Sequence, residues 1–418
     1  MEKRGIAIPT FLFGIVLLGC FFQNWLMMLV PSFGYLDEII TVVSLILFFA
    51  SMSHGKGVSK NSWGLLGVSI LIIMWGLFCN IYFGIQKNSM AIAIDIISNF
   101  KFLFIYLGFK AFAEDKGIDT KGLLRVVLLV VKIFILILTA FAALNLVTDI
   151  GMSVEVRYGI RAFSFVYGTA GHVINQMTYA ILLLKAEEDM FDKKNIIWMA
   201  LCIFVLICTM KVRAFIIIAI YFALYYFFIL RKKKRIGIGI AIVGVIVALV
   251  GYSQFETYFM SGKTPRQMFV KGAVEITKSY FPFGTGFGTY GSSAAADYYS
   301  PLYYTLGFQK QWGMSPDTKM FLNDNYLPMI FAQFGLIFGI IFCLLILWYC
   351  KNVISDAKKN DTKNTKLITF FFLLDIVLSS IQSSYLAHYS VVTLTTIFVL
   401  FFYPNRKEEQ EEKAKNGN

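Results

Sequence analysis

Charge is scarce in this chain. Asp, Glu, Lys and Arg make up 15% of the 418 residues against 58% hydrophobic ones, a balance in which the bilayer, not water, is the expected solvent. Histidine occurs at three scattered positions (His54, His172, His388), and the six cysteines (Cys20, Cys79, Cys202, Cys208, Cys343, Cys350) fall in or at the ends of apolar runs. Neither spacing nor placement offers a zinc site or a disulfide framework, so no metal and no cofactor are expected. Period-2 alternation is missing from the long runs, which argues against a membrane barrel.

What the chain has instead is apolar runs of roughly 15 to 26 residues, recurring from its first residues to near its end. They predict an all-α polytopic membrane protein of about twelve spans, near residues 6–30, 36–52, 63–84, 90–113, 123–147, 172–186, 196–210, 213–230, 236–254, 325–350, 367–384 and 387–403. The first run follows "MEKRG"; it is too long for a signal-peptide core and no small-residue cleavage site follows it, so it reads as an uncleaved span. Alternate loops such as "SHGKGVSK", "RKKKR" and "KNVISDAKKNDTKNTK" are basic, whereas "YFGIQKNS" and "QSSYLAH" carry one Lys or none. Lysine and arginine are retained on the cytoplasmic side, which places both termini inside. The net charge of +13 then reflects topology, and no nucleic-acid partner is expected.

The chain divides accordingly into nine spans (1–254), an outer loop (255–324), three spans (325–403) and a cytoplasmic tail (404–418). Loops as long as the outer one are usually functional. Within it "TPRQMFVKGAVEITKSY" predicts a helix capped by Thr264, with Pro265 in its first turn, Arg266 on its apolar face with Phe269, Val270, Ala273 and Thr277, and Lys271 and Lys278 at its wetter flanks. Next comes "YFPFGTGFGTYG". It lacks the strand and helix of a dinucleotide fold and lies away from cytoplasmic nucleotides, so Gly284, Gly286 and Gly288 are expected to shape a turn that holds the Arg266 helix in place.

Charges in or beside the spans each need a reason. Asp95, Lys101, Lys132 and Asp375 either neutralise one another across the bundle or form a relay. Arg213, in the tight hairpin "CTMKVRAF", and Arg161 and Arg266 all fall on the outer side. A guanidinium suits phosphate because its planar fork keeps its charge and bonds bidentately; the bland alternative for Arg213 is snorkelling to headgroups. Asp324, just before the tenth span, is a helix N-cap, a carboxylate at the rim of an outward cavity, or both. Tyr and Trp in "DYYSPLYYTLGFQKQWGM" either join an interfacial aromatic belt or stack on sugar rings.

The order "RAFSFVYGTAGHVINQ", "KVRAF", an arginine-bearing loop helix, "PFGTGFGTY" and "DNYLPMIFAQFGLIFG" resembles the O-antigen polymerase and O-antigen ligase superfamily over residues 155–345. That resemblance implies a helical membrane glycosyltransferase of GT-C-like fold in a bacterial cytoplasmic membrane, transferring glycan from a polyprenyl-diphosphate carrier on the outer face without metal or cofactor. It assigns Arg213 and Arg266 to the donor diphosphate, with Arg161 beside them, and adds His172, Asn175 and Tyr326 as cavity residues. The ligase branch has His where this chain has Asp324, which favours a polymerase of O-antigen, capsule or exopolysaccharide repeat units, with Asp324 as base or acceptor binder. Implied partners are lipid-linked donor and acceptor, membrane lipid, and the flippase and chain-length regulator of the same pathway. The alternatives are ligase-type transfer to another acceptor, a lipid-linked-sugar transporter, whose usual two similar halves are not evident, and a scaffold.

Overall fold

The structure is a computed structural model that describes residues 8–53, 59–116, 120–157, 159–186, 193–226, 264–324, 326–359 and 363–402. In chain order its helices are α1 (Ile8–Phe21), α2 (Gln23–Leu29), α3 (Leu36–Ser53), α4 (Lys60–Phe83), α5 (Ser89–Lys116), α6 (Thr120–Val147), α7 (Ala170–Ala186), α8 (Lys193–Cys208) and α9 (Val212–Tyr225). They continue with α10 (Pro265–Ser279), the short α11 (Ser293–Asp297) and α12 (Pro301–Thr305), then α13 (Tyr326–Lys359), α14 (Lys363–Gln382) and α15 (Tyr389–Phe402). A hairpin of β1 (Ser153–Arg157) and β2 (Ile160–Phe163) sits between α6 and α7.

Helices dominate because long apolar runs can satisfy their backbone only within the segment when lipid surrounds them. Among the described residues, five stretches (Pro31–Met52, Lys60–Phe83, Ser89–Asp115, Gly122–Val147 and Tyr326–Lys358) are long and apolar enough to cross a membrane. Outward leucines such as Leu129 and Leu347, 63% and 64% exposed, give these helices the apolar coat that lipid requires. The protein is therefore a helical membrane protein. Asn195–Cys208, Val212–Ala223 and Tyr389–Leu400 are shorter apolar helices, and the span expected near 236–254 lies outside the described residues.

The expected first span is not one straight helix. α1 and α2 meet at 72° around Phe22. Gln23, buried at the bend, donates to Asp37 Oδ1 (2.6 Å) and to the Phe33 carbonyl (3.3 Å), so its amide is drawn toward the start of α3. Leaving its buried N–H groups without acceptors in an apolar bundle would be costly, and the bend brings them to α3.

Buried charges find partners other than those expected of them. Lys101 on α5 is held by Asp37 and by Glu38 (2.8 Å) in the first turn of α3, where the helix dipole also favours the two carboxylates. Asp375 on α14 pairs with Arg213, Asp95 accepts from the Gly288 amide, and the Lys132 ammonium lies 5.9 Å from the centre of the Trp198 ring. Toward the other end of α5, Lys110 and Tyr106 both reach Asp356 on α13.

The glycine stretch is threaded between α4, α5 and α13. Trp75 donates to the Phe283 carbonyl (3.0 Å), and Asn80 brackets Phe287 by accepting from its amide (2.7 Å) and donating to its carbonyl (2.9 Å). Gln86 takes the Gly288 carbonyl (2.9 Å), Gln333 the Tyr290 carbonyl (2.8 Å). Side-chain amides thus do for this irregular backbone what helix formation does elsewhere in the bundle. Across from it α13 breaks at Gly335 (φ +72°), freeing carbonyls of Ala332 and Gln333 to accept from Thr285 (3.0 Å) and Gly286 (2.8 Å). The approach is backbone to backbone: a Cβ at Gly284 would lie 2.2 Å from the Gly335 nitrogen. Gly284, Gly286 and Gly288 all have positive φ and together seat the loop.

α10 follows the sequence pattern closely. Thr264 accepts from the Gln267 amide, Pro265 opens the helix, and Phe269, Gly272, Ala273 and Ile276 form its buried face while Lys271 and Lys278 are exposed. That face packs on α13 and on a small core of its own, around Tyr290, Tyr303, Phe308 and Met314.

Candidate functional site

At the end of the bundle where α10, the β-hairpin and the α8–α9 turn converge there is a cavity of about 460 Å³. Its charged lining is Glu155 and Arg157 from β1, Lys211 from the turn, Arg266 from α10 and Asp324 from the segment before α13; Met320 and Phe321 add apolar wall.

Each charge is positioned by local structure. In β1 alternate residues point to opposite faces, so Glu155 and Arg157 share the side away from the exposed Val154 and Val156. Glu155 bridges Lys211 (2.7 Å) and Arg157 (3.0 Å), tying the hairpin to the start of α9. Burial alone would raise the Glu155 carboxyl, but hydrogen bonds from Lys211 and Arg157 outweigh it and hold the group below its usual range. Opposite, the Arg266 Nε donates to Asp324 Oδ2 at 2.8 Å. Asp324 behaves differently. Its side chain is 13% exposed, and burial pushes its carboxyl above the usual range although Arg266 pulls the other way.

The cavity therefore holds three cations against two carboxylates, one of which is poised nearer neutrality. It can take an anion and, at Asp324, accept a proton.

The remaining candidates are distributed around this cavity. Arg213 is turned away from it toward α14, donating to Asn175 Oδ1 (2.8 Å) and Asp375 Oδ1 (3.0 Å). Asp375 also accepts from Tyr385 (2.7 Å) and Ser379 (3.3 Å), and Asn175 donates to Ser390 (2.9 Å). Arg213 is thus buried in a polar knot between α7, α9 and α14 and does not snorkel. Its Nε finds no partner among the described residues. His172 shares a hydrogen bond with Tyr389 (2.6 Å) beside that knot. Arg161 is committed elsewhere: Nε and Nη2 donate to the Asn145 and Leu146 carbonyls (2.9 and 3.1 Å), capping the end of α6. Tyr326 lines a separate, apolar groove with Leu327, Leu347, Val377 and Leu386, and its hydroxyl has no partner among the described residues.

Glu155, Arg157 and Lys211 were not singled out by the sequence. The alternation in "SVEVR" is the sequence signal for the first two; Lys211 lies two residues before Arg213 and belongs to no motif of its own. The chain matches no protein-family model, no curated protein and no solved structure.

Proposed function

We propose that this protein is a membrane glycosyltransferase that polymerises lipid-diphosphate-linked oligosaccharide repeat units on the outer face of the membrane. The observation that carries the reading is the ion pair of Arg266 with Asp324, whose side chain is 13% exposed, in a cationic cavity at the end of an apolar bundle. An anionic headgroup whose tail stays in lipid fits such a place. Arg266, Arg157 and Lys211 would take the diphosphate, with the charge of Arg213 held behind them by Asp375; Arg161, engaged by α6, drops out of the donor set.

In the reaction the acceptor hydroxyl oxygen bonds to the donor's anomeric carbon as the bond from that carbon to the diphosphate oxygen breaks. The leaving electron pair goes to the diphosphate, where fixed positive charge stabilises it. The hydroxyl proton goes to Asp324. Drawing Arg266 onto the diphosphate also removes the cation that lowers the Asp324 carboxyl, so donor binding makes the base stronger. The purified protein in lipid nanodiscs, given lipid-linked repeat units and neither nucleotide nor metal, should yield polymer. Cells lacking it should accumulate single lipid-linked units on the outer face; accumulation on the inner face would mark a transporter instead and sink the proposal.

A further inference from the structure

Five of the six tryptophans lie in helices of the bundle; Trp312 alone stands in the loop between α12 and α13. It is 70% exposed, and its indole N–H makes no hydrogen bond among the described residues, whereas that of Trp75 is satisfied by the Phe283 carbonyl. Its neighbours Lys310, Gln311 and Asp317 are exposed and polar.

The indole is held on a closed loop. The Phe321 amide donates to the Gly313 carbonyl (2.9 Å), the Gly313 amide to Thr318 Oγ1 (3.0 Å), and Tyr299 to the carbonyl of the fully buried Met314 (2.9 Å). Gly313 has φ +79°, and a Cβ there would stand 2.4 Å from the Phe321 ring. Phe321 therefore lies flat on bare backbone, meeting Trp312 edge-on at 5.9 Å while also lining the charged cavity beside Asp324. A large aromatic face held exposed on a closed loop, one ring away from a site, is an anchor without its load.

We infer that Trp312 is a stacking platform for a sugar ring of the glycan that enters the cavity, with Phe321 leading from it toward Asp324. A pyranose presents an apolar C–H face to an aromatic ring and hydroxyls at its rim; the free indole N–H, Gln311 and Asp317 suit the latter. The inference rests on the reading of the cavity as a glycan-transfer site, and extends it by placing the saccharide outside the diphosphate.

The test uses the full protein in nanodiscs, taking the fluorescence of wild type minus that of Trp312→Phe. Trp312 should be quenched by acrylamide and protected by oligosaccharides released by mild acid from the producing cell's surface polysaccharide. Trp312→Ala should raise KM for the acceptor about tenfold with kcat little changed, and Trp312→Phe, which keeps a ring, should recover most of it. Quenching by dibrominated phosphatidylcholine, or absence of protection by the oligosaccharides, overturns the platform. Protection in a protein that fails to transfer keeps the platform and strikes only the proposed reaction.

Discussion

Replacing Gly284 with Ala tests whether the seat of the glycine loop is as tight as it looks. Gly307 supplies the control: its φ is +73° but an added Cβ would meet nothing within 4 Å, so Gly307→Ala should suffer only the left-handed backbone penalty, about 1–2 kcal/mol. Gly284 (φ +84°) carries the same penalty and more. Its Cβ would stand 2.2 Å from the Gly335 nitrogen and 2.6 Å from the Gln333 carbonyl oxygen, both backbone atoms that no rotamer change can move. Restoring van der Waals distance requires the two chains to part by about 1 Å. That takes the bonds from Thr285 (3.0 Å) and Gly286 (2.8 Å) to Ala332 and Gln333 out of range. Each leaves buried groups unsatisfied at roughly 1–3 kcal/mol, so with the backbone penalty the total is about 3–8 kcal/mol, above the control. The assay is thermal unfolding in detergent together with alkylation of Cys79, which is fully buried and donates to the Phe283 carbonyl at 3.4 Å. Gly284→Ala should expose Cys79 and lower the midpoint clearly more than Gly307→Ala. Equal midpoints, with Cys79 still protected in both, would refute the reasoning.

Asp324→Asn should insert normally and bind donor, yet lose about 10²- to 10⁴-fold in turnover, measured with purified lipid-linked units; near-normal turnover would remove the base. In wild type the base must be ionised, so the rate should climb with pH through the raised Asp324 value and then level, its acid limb lying above that of an ordinary Asp; the linked stability term has the opposite sense, lost as pH rises through that value. Asp375→Asn leaves the buried Arg213 charge without its counter-ion and should cost about 3–5 kcal/mol, read by unfolding, with the Arg213→Met, Asp375→Leu double variant recovering much of it. Lys310→Cys and Lys358→Cys, both at exposed positions, should label from opposite sides of the membrane with an impermeant reagent.

Much of the helical framework was legible because hydrocarbon imposes one rule on every residue of a span. The capped start of α10, with Arg266 on its buried side, was equally readable since capping and periodicity are local. Partner choice was not. Lys101 meets Asp37 across 64 residues of sequence, and Arg213 meets Asp375 across 162. Such pairings depend on how helices are arranged, which periodicity does not encode. The bend after Phe21 is of the same kind, for it accompanies a contact from Gln23 to Asp37 on α3 that periodicity does not encode. Within the site, Arg266 and Asp324 were visible as chemistry in a long loop, whereas Glu155 and Arg157 sit on a short hairpin that begins at Ser153, close behind the end of α6 at Val147.

The seating of the glycine stretch also bears on the order in which the protein can be assembled. Asn80 closes on Phe287 across 207 residues, and Trp75 reaches Phe283 across 208, so this junction is made of partners synthesised far apart. The α4–α5 side of the seat leaves the ribosome first, the loop next, and the Gly335 break of α13 last. α13 reaches its final position on α4 together with residues 283–288, because its freed Ala332 and Gln333 carbonyls take their donors from Thr285 and Gly286. Insertion of the spans and completion of the bundle should then be separable events, the second waiting on residues 283–288 and α13. Long-range closure of this kind is slow. A nascent chain halted between Gly291 and Gly335 should hold its first helices in the membrane while leaving Cys79 open to alkylation, and lose that reactivity only when α13 arrives.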